Sequence, residues 1–224
     1  MASVIPFTQV NYPESDGKPM GETDEHRDEM IRHIELLKHY YEGQKVYVSG
    51  NLLVYYEQGN TKKFVVPDAF VAKGIIPKKR RIFKIWTEGK VPDVIIETTS
   101  RKTRRNDTVD KAELYSRLGV KEYFLFDGLE EYLDPPLQGY RLVGDAFEPM
   151  VLDASDALVS QELGLTLRRE EGCLQFYRFD NGQRILTANE RAQQEAEARR
   201  AEAEGRRAAE EEVARLREEL RRRS

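Results

Sequence analysis

The 224-residue chain is 39% hydrophobic and 34% charged with a formal net charge of -4. That composition is water-compatible, and the length accommodates one cored domain plus an appendage without demanding a second core. No run approaches the roughly 18 uncharged apolar residues of a membrane helix. The opening MASVIPFTQVNYPESDGKPM lacks a basic start followed by an apolar run, so neither a membrane span nor a secretory signal is expected. The single cysteine, Cys173, excludes an internal disulfide framework and fits a reducing, cytoplasmic setting. With only His26, His33 and His39 beside it, a zinc centre is not expected.

Residues 1–20, with Pro6, Pro13, Gly17 and Pro19, read as an irregular arm. Thr23 or Asp24 can cap a helix running to about Tyr41, because Met30, Ile34, Leu37 and Tyr41 recur at helical spacing while Glu25, Arg27, Asp28 and Arg32 can stay wet. Gly43 ends it. Lys45–Glu57 is rich in β-branched and aromatic residues and reads as a strand with a bulge or bend at Gly50-Asn51. Phe64–Ala72 is a second strand, and Val94–Thr99 a short apolar run fit for a buried central strand. Asp107 is placed to cap a helix through Leu118, closed by Gly119. Glu122–Asp127 is another buried strand. The order is αβββαβ, and a strand reached through a helix implies a mixed sheet with helices against it.

After Pro135-Pro136 the texture changes to short strands at Tyr140–Val143, Phe147–Leu152, Leu163–Arg169, Leu174–Phe179 and Arg184–Leu186, with Asn181-Gly182 as a hairpin turn. From about Ala188 the chain is almost only Ala, Glu, Arg and Leu, and EAEARRA (195–201) is nearly repeated as EAEGRRA (202–208). This predicts a long charged helix. Val213, Leu216 and Leu220 follow at spacings of three and four, a weak coiled-coil seam that predicts a homo-oligomer.

Charge is unevenly spread. Residues 73–111 hold 12 basic and 5 acidic side chains, whereas 1–72 hold 7 and 11, 112–186 hold 7 and 14, and 187–224 hold 10 and 10. A cationic segment inside an acidic body is either a solvated loop or a polyanion-facing groove. On the second reading Lys78, Lys79, Arg80, Arg81, Lys102, Arg104 and Arg105 contact phosphates.

The acids on the strands are more informative. Asp68 lies inside an apolar run (VVPDAFV) and Glu97 at the end of another (VIIETTS). A buried carboxylate needs a partner. Loop amides or an arginine of the basic segment would serve either acid alone. Both together, flanking that segment, suit a hard divalent cation completed by water and a substrate phosphate. Asp93, four residues before Glu97, shares its strand face and could join the acids or cap the strand. Lys111, four residues after Asp107 on one helix face, is the candidate for stabilising charge in phosphodiester hydrolysis; an exposed lysine paired with Asp107 is the plainer alternative, and Lys102 is a rival.

The run PDVIIETTSRKTRRNDTVDKAELYSRLGVKEYFLFD (92–127), with PDAFV upstream, resembles the Uma-two family of restriction-type endonucleases in the PD-(D/E)xK superfamily, over residues 20 to about 186. The resemblance implies an α/β fold with a restriction-endonuclease-like core (21–134), a β-hairpin extension of the same domain (135–186) and a helical tail (187–224). It implies an Mg²⁺-dependent endonuclease, with Mn²⁺ able to substitute, acting on nucleic acid, in particular DNA. Asp68, Glu97 and the carbonyl of Thr98 would hold the metal. The superfamily lysine, two residues after the glutamate, is here Thr99, and Lys111 from the next helix would replace it. Asp107 would orient Lys111 or cap its helix, and His26 stands where the family often has a histidine. The alternative function is a catalytically idle nuclease-like domain that binds nucleic acid or protein, with an oligomerising tail.

Overall fold

A computed structural model describes residues 10–15, 23–100 and 105–223, and the chain divides into two units, Met1–Ile185 and Leu186–Ser224. The first helix, α1 (Asp24–Tyr40), begins where Thr23 accepts a hydrogen bond from the His26 amide. Asp24 and Glu25 sit in its positive first turn and Lys38 and His39 in its last. It buries Met30, His33, Leu36 and Leu37. Arg32, expected in solvent, instead donates to the Leu174 carbonyl and to Gln175 Oε1, both at 2.6 Å.

The two strands expected upstream of the basic segment are each broken. Lys45–Glu57 divides into β1 (Val46–Ser49) and β2 (Val54–Tyr55), and Phe64–Ala72 into β3 (Phe64–Val65) and β4 (Ala69–Lys73). The first break falls at Gly50-Asn51, where Asn51 has φ +47° and its amide donates to the Pro67 carbonyl at 2.8 Å. The second contains Pro67, which has no N–H for a ladder. Within the basic segment lie β5 (Phe83–Lys84) and a single turn, α2 (Ile85–Glu88), neither legible in the run of cations. β3, β2 and β5 form a small sheet of their own.

Next come β6 (Val94–Thr98), a π-helical turn (Asn106–Lys111) continuing into α3 (Ala112–Leu118), and β7 (Glu122–Phe126). Asp107 does not cap this helix: it is buried inside the π turn, and a helical residue, Arg105, precedes that turn. β8 (Leu137–Val143) and β9 (Ala146–Pro149) complete a six-stranded sheet in the order β1-β4-β6-β7-β8-β9. All neighbours are antiparallel except β6 and β7, which are parallel and joined through the π turn and α3. These two strands are buried along their whole length, which is why they read as unbroken apolar runs.

β10 (Ala157–Ser160), β11 (Leu165–Glu170) and β12 (Cys173–Arg178) form an antiparallel meander. Only an isolated bridge, Tyr177 to Arg184, follows the Asn181-Gly182 turn. Alternation along the strands sorts the core. Val71, Ile96 and Phe124 pack with Leu36 and Leu37 of α1 and with Leu165 and Phe176 of the meander. Phe70, Ile95, Tyr123 and Leu125 pack on the opposite face with Tyr115 of α3. Glu97, two residues after Ile95, therefore faces α3.

The second unit is one helix, α4 (Ala188–Arg223), with no buried residue. Thr187 and Glu190 start it as a reciprocal capping box: the Glu190 amide donates to Thr187 Oγ1 at 3.2 Å and the Thr187 amide to Glu190 Oε2 at 2.7 Å. Glu195–Arg199 and Arg206–Glu210 pair one turn apart along it, while Val213, Leu216 and Leu220 are exposed. None of the described helices is long and apolar enough to cross a membrane.

Candidate active site

Asp68 stands just before β4 and Glu97 near the end of β6, and each acid takes an amide from the other's segment. The Asp68 amide donates to Glu97 Oε2 at 3.2 Å, and the Thr98 amide donates to Asp68 Oδ2 at 2.8 Å. This clasp closes the gap between the two strands at one end of their ladder. Lys111 Nζ lies 3.0 Å from Glu97 Oε2 and 3.0 Å from Asp107 Oδ1. From the other side, His26 Nε2 in the first turn of α1 lies 3.3 Å from Asp68 Oδ2. His26, Asp68, Glu97, Lys111 and Asp107 are thus linked in one chain of contacts. Of the alternatives expected for either acid alone, amide donors or an arginine, each acid has an amide, and the cation beside Glu97 is a lysine.

The electrostatics are unbalanced. Three carboxyl groups face one ammonium, with Glu97 fully buried and the Lys111 side chain only 16% exposed. Burial pushes the Glu97 carboxyl up to about 8; Lys111 opposes this, but Asp68 and Asp107 add to it. Burial works against the Lys111 charge, yet attraction to Glu97, Asp107 and Asp68 outweighs it and holds the ammonium well above its ordinary range. The hydroxyls of Thr98 and Thr99 are buried without a hydrogen-bond partner among the described residues. Thr99 is the residue two places after Glu97.

Two residues of this cluster were not anticipated. Tyr115, fully buried on α3, donates its hydroxyl to Glu97 Oε1 at 2.9 Å. Its sequence signal was its place four residues after Lys111 within the run that carries the family resemblance. Tyr123 on β7 donates to the Asp107 carbonyl at 2.8 Å and so anchors the π turn.

Other candidates lie elsewhere. Asp93 sits at the opposite end of β6, where it is 2.7 Å from Lys90 Nζ, 3.2 Å from Lys121 Nζ and 2.7 Å from the Lys73 amide. Burial alone would raise its carboxyl, but these donors hold it below the ordinary range. Arg80 is stacked 4.1 Å over the Tyr47 ring and bonded through two nitrogens to Glu88, each at 2.8 Å. Its cation serves the fold. Arg81 pairs with Glu14, while Lys78, Lys79 and Arg105 are exposed. Lys102 and Arg104 lie outside the described residues.

Comparison with known proteins supplies the class. Residues 8–170 match the Uma2 family, described as "Putative restriction endonuclease", and the chain belongs to that family. A solved structure described as "a putative nuclease belonging to DUF820 from Anabaena variabilis ATCC 29413" is similar at 16% identity with a TM-score of 0.48, covering 70% of this chain and 88% of that one. No curated protein matches.

Proposed function

We propose that this chain is a divalent-metal-dependent endonuclease that hydrolyses phosphodiester bonds of DNA, using Mg²⁺ with Mn²⁺ able to substitute. The observation that carries the reading is the linking of Asp68, Glu97, Asp107 and Lys111 at one end of the central strands, with more acid than base. Membership of the Uma2 family supports it. In this reading α1, β1, β4, β6, α3 and β7 are the αβββαβ core, the strands from β8 onward its extension, and α4 a tail that self-associates through Val213, Leu216 and Leu220.

The donor set fits a hard cation. No three His, Cys, Asp or Glu side chains among the described residues are grouped to hold a metal. As the family resemblance implies, Asp68, Glu97 and the Thr98 carbonyl would hold it together with water and the substrate phosphate, as Mg²⁺ favours. The surplus of negative charge and the upward-shifted Glu97 are what a dication would relieve. When bound, the metal would supply polarisation of the phosphate and a more acidic water.

The protein's own groups have separate tasks. Lys111 places a permanent positive charge beside the acids, where negative charge develops on the phosphate oxygens. Asp107 restrains the Lys111 side chain. His26 holds Asp68 from the α1 side. Among the described residues the buried Thr99 hydroxyl has no hydrogen-bond partner, and in this reading a water or a substrate oxygen would satisfy it. Lys78, Lys79 and Arg105 remain candidates for backbone phosphates, whereas Arg80 is committed to Glu88 and Tyr47.

The test is incubation with supercoiled and linear DNA in Mg²⁺ and Mn²⁺, comparing wild type with Asp68→Asn. Nicking or cutting by the wild type and none by the variant is expected. DNA binding without cleavage by either protein in either metal would replace the reading with that of an idle binding domain.

A further inference from the structure

The Tyr115 phenol has no part in the chemistry above, yet it occupies one of the two oxygens of Glu97. Oε1 accepts from the Tyr115 hydroxyl at 2.9 Å, while Oε2 accepts the Asp68 amide at 3.2 Å and lies 3.0 Å from Lys111 Nζ. A carboxylate held at one oxygen only can rotate about its terminal bond, because such torsions have broad wells. Held at both, it keeps one orientation.

The phenol is itself fixed. Its ring is fully buried and meets the Tyr123 ring edge-on, with centroids 5.2 Å apart. The Tyr123 hydroxyl in turn holds the Asp107 carbonyl. The π turn explains how one helix can present Asp107, Lys111 and Tyr115 together. Four residues of an α-helix overshoot a full revolution by about 40°, whereas four residues of the wider π turn fall short of one. The step from Asp107 to Lys111 lies in the π turn and the step from Lys111 to Tyr115 in α3, so the two deviations oppose each other. The three side chains stack over Glu97 where a regular helix would carry them progressively away.

We infer that Tyr115 is a positioning residue for Glu97: by fixing Oε1 it keeps Oε2 turned toward Asp68 and Lys111. The inference rests on the metal-holding role proposed above for Asp68 and Glu97. Tyr115→Phe keeps the ring and removes only the hydroxyl. Binding of Mn²⁺ to the full chain, followed by the electron-paramagnetic signal of the free ion, is measured for wild type, Tyr115→Phe and Asp68→Asn.

Tyr115→Phe should bind Mn²⁺ about 10- to 100-fold more weakly, the range typical when a partner of a metal ligand is lost. Cleavage should recover as Mn²⁺ is raised, with the KM for DNA at saturating metal unchanged. A merely structural hydroxyl would lower the melting temperature and leave Mn²⁺ affinity alone. Wild-type affinity in Tyr115→Phe beside loss in Asp68→Asn overturns the role of Tyr115 and leaves the metal reading standing. A wild type that binds no Mn²⁺ overturns both. If Tyr115→Phe does not fold, 3-fluorotyrosine at position 115 changes the hydroxyl's donor strength with little change in volume; an unmoved Mn²⁺ affinity then overturns the inference.

Discussion

Gly50→Ala should damage the candidate site although residue 50 touches none of its charges. A Cβ at Gly50 would lie 1.8 Å from the Asp68 carbonyl oxygen, 2.8 Å from its carbon and 2.7 Å from Ile34 Cδ1. The Ile34 methyl can rotate away, but the carbonyl is main chain. An ordinary carbon–oxygen approach is about 3.3 Å, so from 1.8 Å the two segments must part by roughly 1.5 Å. They are also tied together, by the Asn51 amide on the Pro67 carbonyl at 2.8 Å. The displacement therefore falls on Asp68 and strains its clasp with Glu97 and Thr98. Overpacking of this kind costs about 1–3 kcal/mol, which for a body of this size lowers the melting temperature by roughly 2–12 °C. A misplacement of about 1 Å at a reacting centre costs on the order of 100-fold in rate. The assay is thermal unfolding with Mn²⁺ binding and DNA cleavage, and Gly205→Ala serves as control because its Cβ would meet nothing within 4 Å. A Gly50→Ala protein that melts within a degree of wild type and keeps its Mn²⁺ affinity would show that the 50–51 turn does not position Asp68.

Two further outcomes follow from charge and from the tail. Because the folded carboxyl of Glu97 is raised to about 8 from an ordinary 4.5, the metal-free folded state keeps a proton that the unfolded chain has lost between those values. Stability from this group is full below about pH 4.5, drains as pH rises toward about 8 and is level above. The melting temperature of wild type relative to Glu97→Gln should accordingly fall across that window, and a constant or rising difference would contradict it. For the tail, light scattering should find weak self-association of the full chain and a monomer for a chain ending at Leu186. Monomers of both across micromolar concentrations would remove α4 as an assembly element.

How far the fold could be read from residues depended on whether the deciding contact was local. The spacing of Met30, Leu37 and Tyr41 announces α1, and the apolar runs VIIET and EYFLF announce strands buried on both faces. A bend at Gly50-Asn51 was legible, but not the division of Lys45–Glu57 between two sheets, because valines and tyrosines favour strand equally on either side of the turn. Only the pairing of β1 with β4 and of β2 with β3 and β5 assigns the halves to different sheets. Arg80 looks like its basic neighbours in sequence, yet its partners are Glu88 eight residues on and the face of Tyr47. The π turn has no composition of its own. It is held by the Tyr123 hydroxyl, a contact sixteen residues distant. Asp68, Glu97 and Lys111 stood out as candidates because ionisable groups in apolar strands, and a lysine on the helix that follows, are conspicuous without any knowledge of pairing.

β6 carries a buried acid at each end, and their surroundings differ in a way that bears on which end works. At its start, Asp93 meets Lys90, Lys121 and the Lys73 amide. The neighbouring Glu122 of β7 meets Arg141, Ser160 Oγ and the amides of Gln161 and Glu162. Each of these acids has a basic side chain and amide donors to itself, so this end gains nothing by taking up a further cation. At the far end Glu97 shares one lysine with Asp107 and lies beside Asp68, and its carboxyl is raised where that of Asp93 is lowered. Burying acids that are not fully compensated costs stability. A fold that satisfies its acids at one end of a strand has the means to satisfy them at the other. Under the proposed function the less compensated end is the one that would take up an outside cation, and the wedge of Tyr115, Lys111 and Asp107 would keep that end in shape for it.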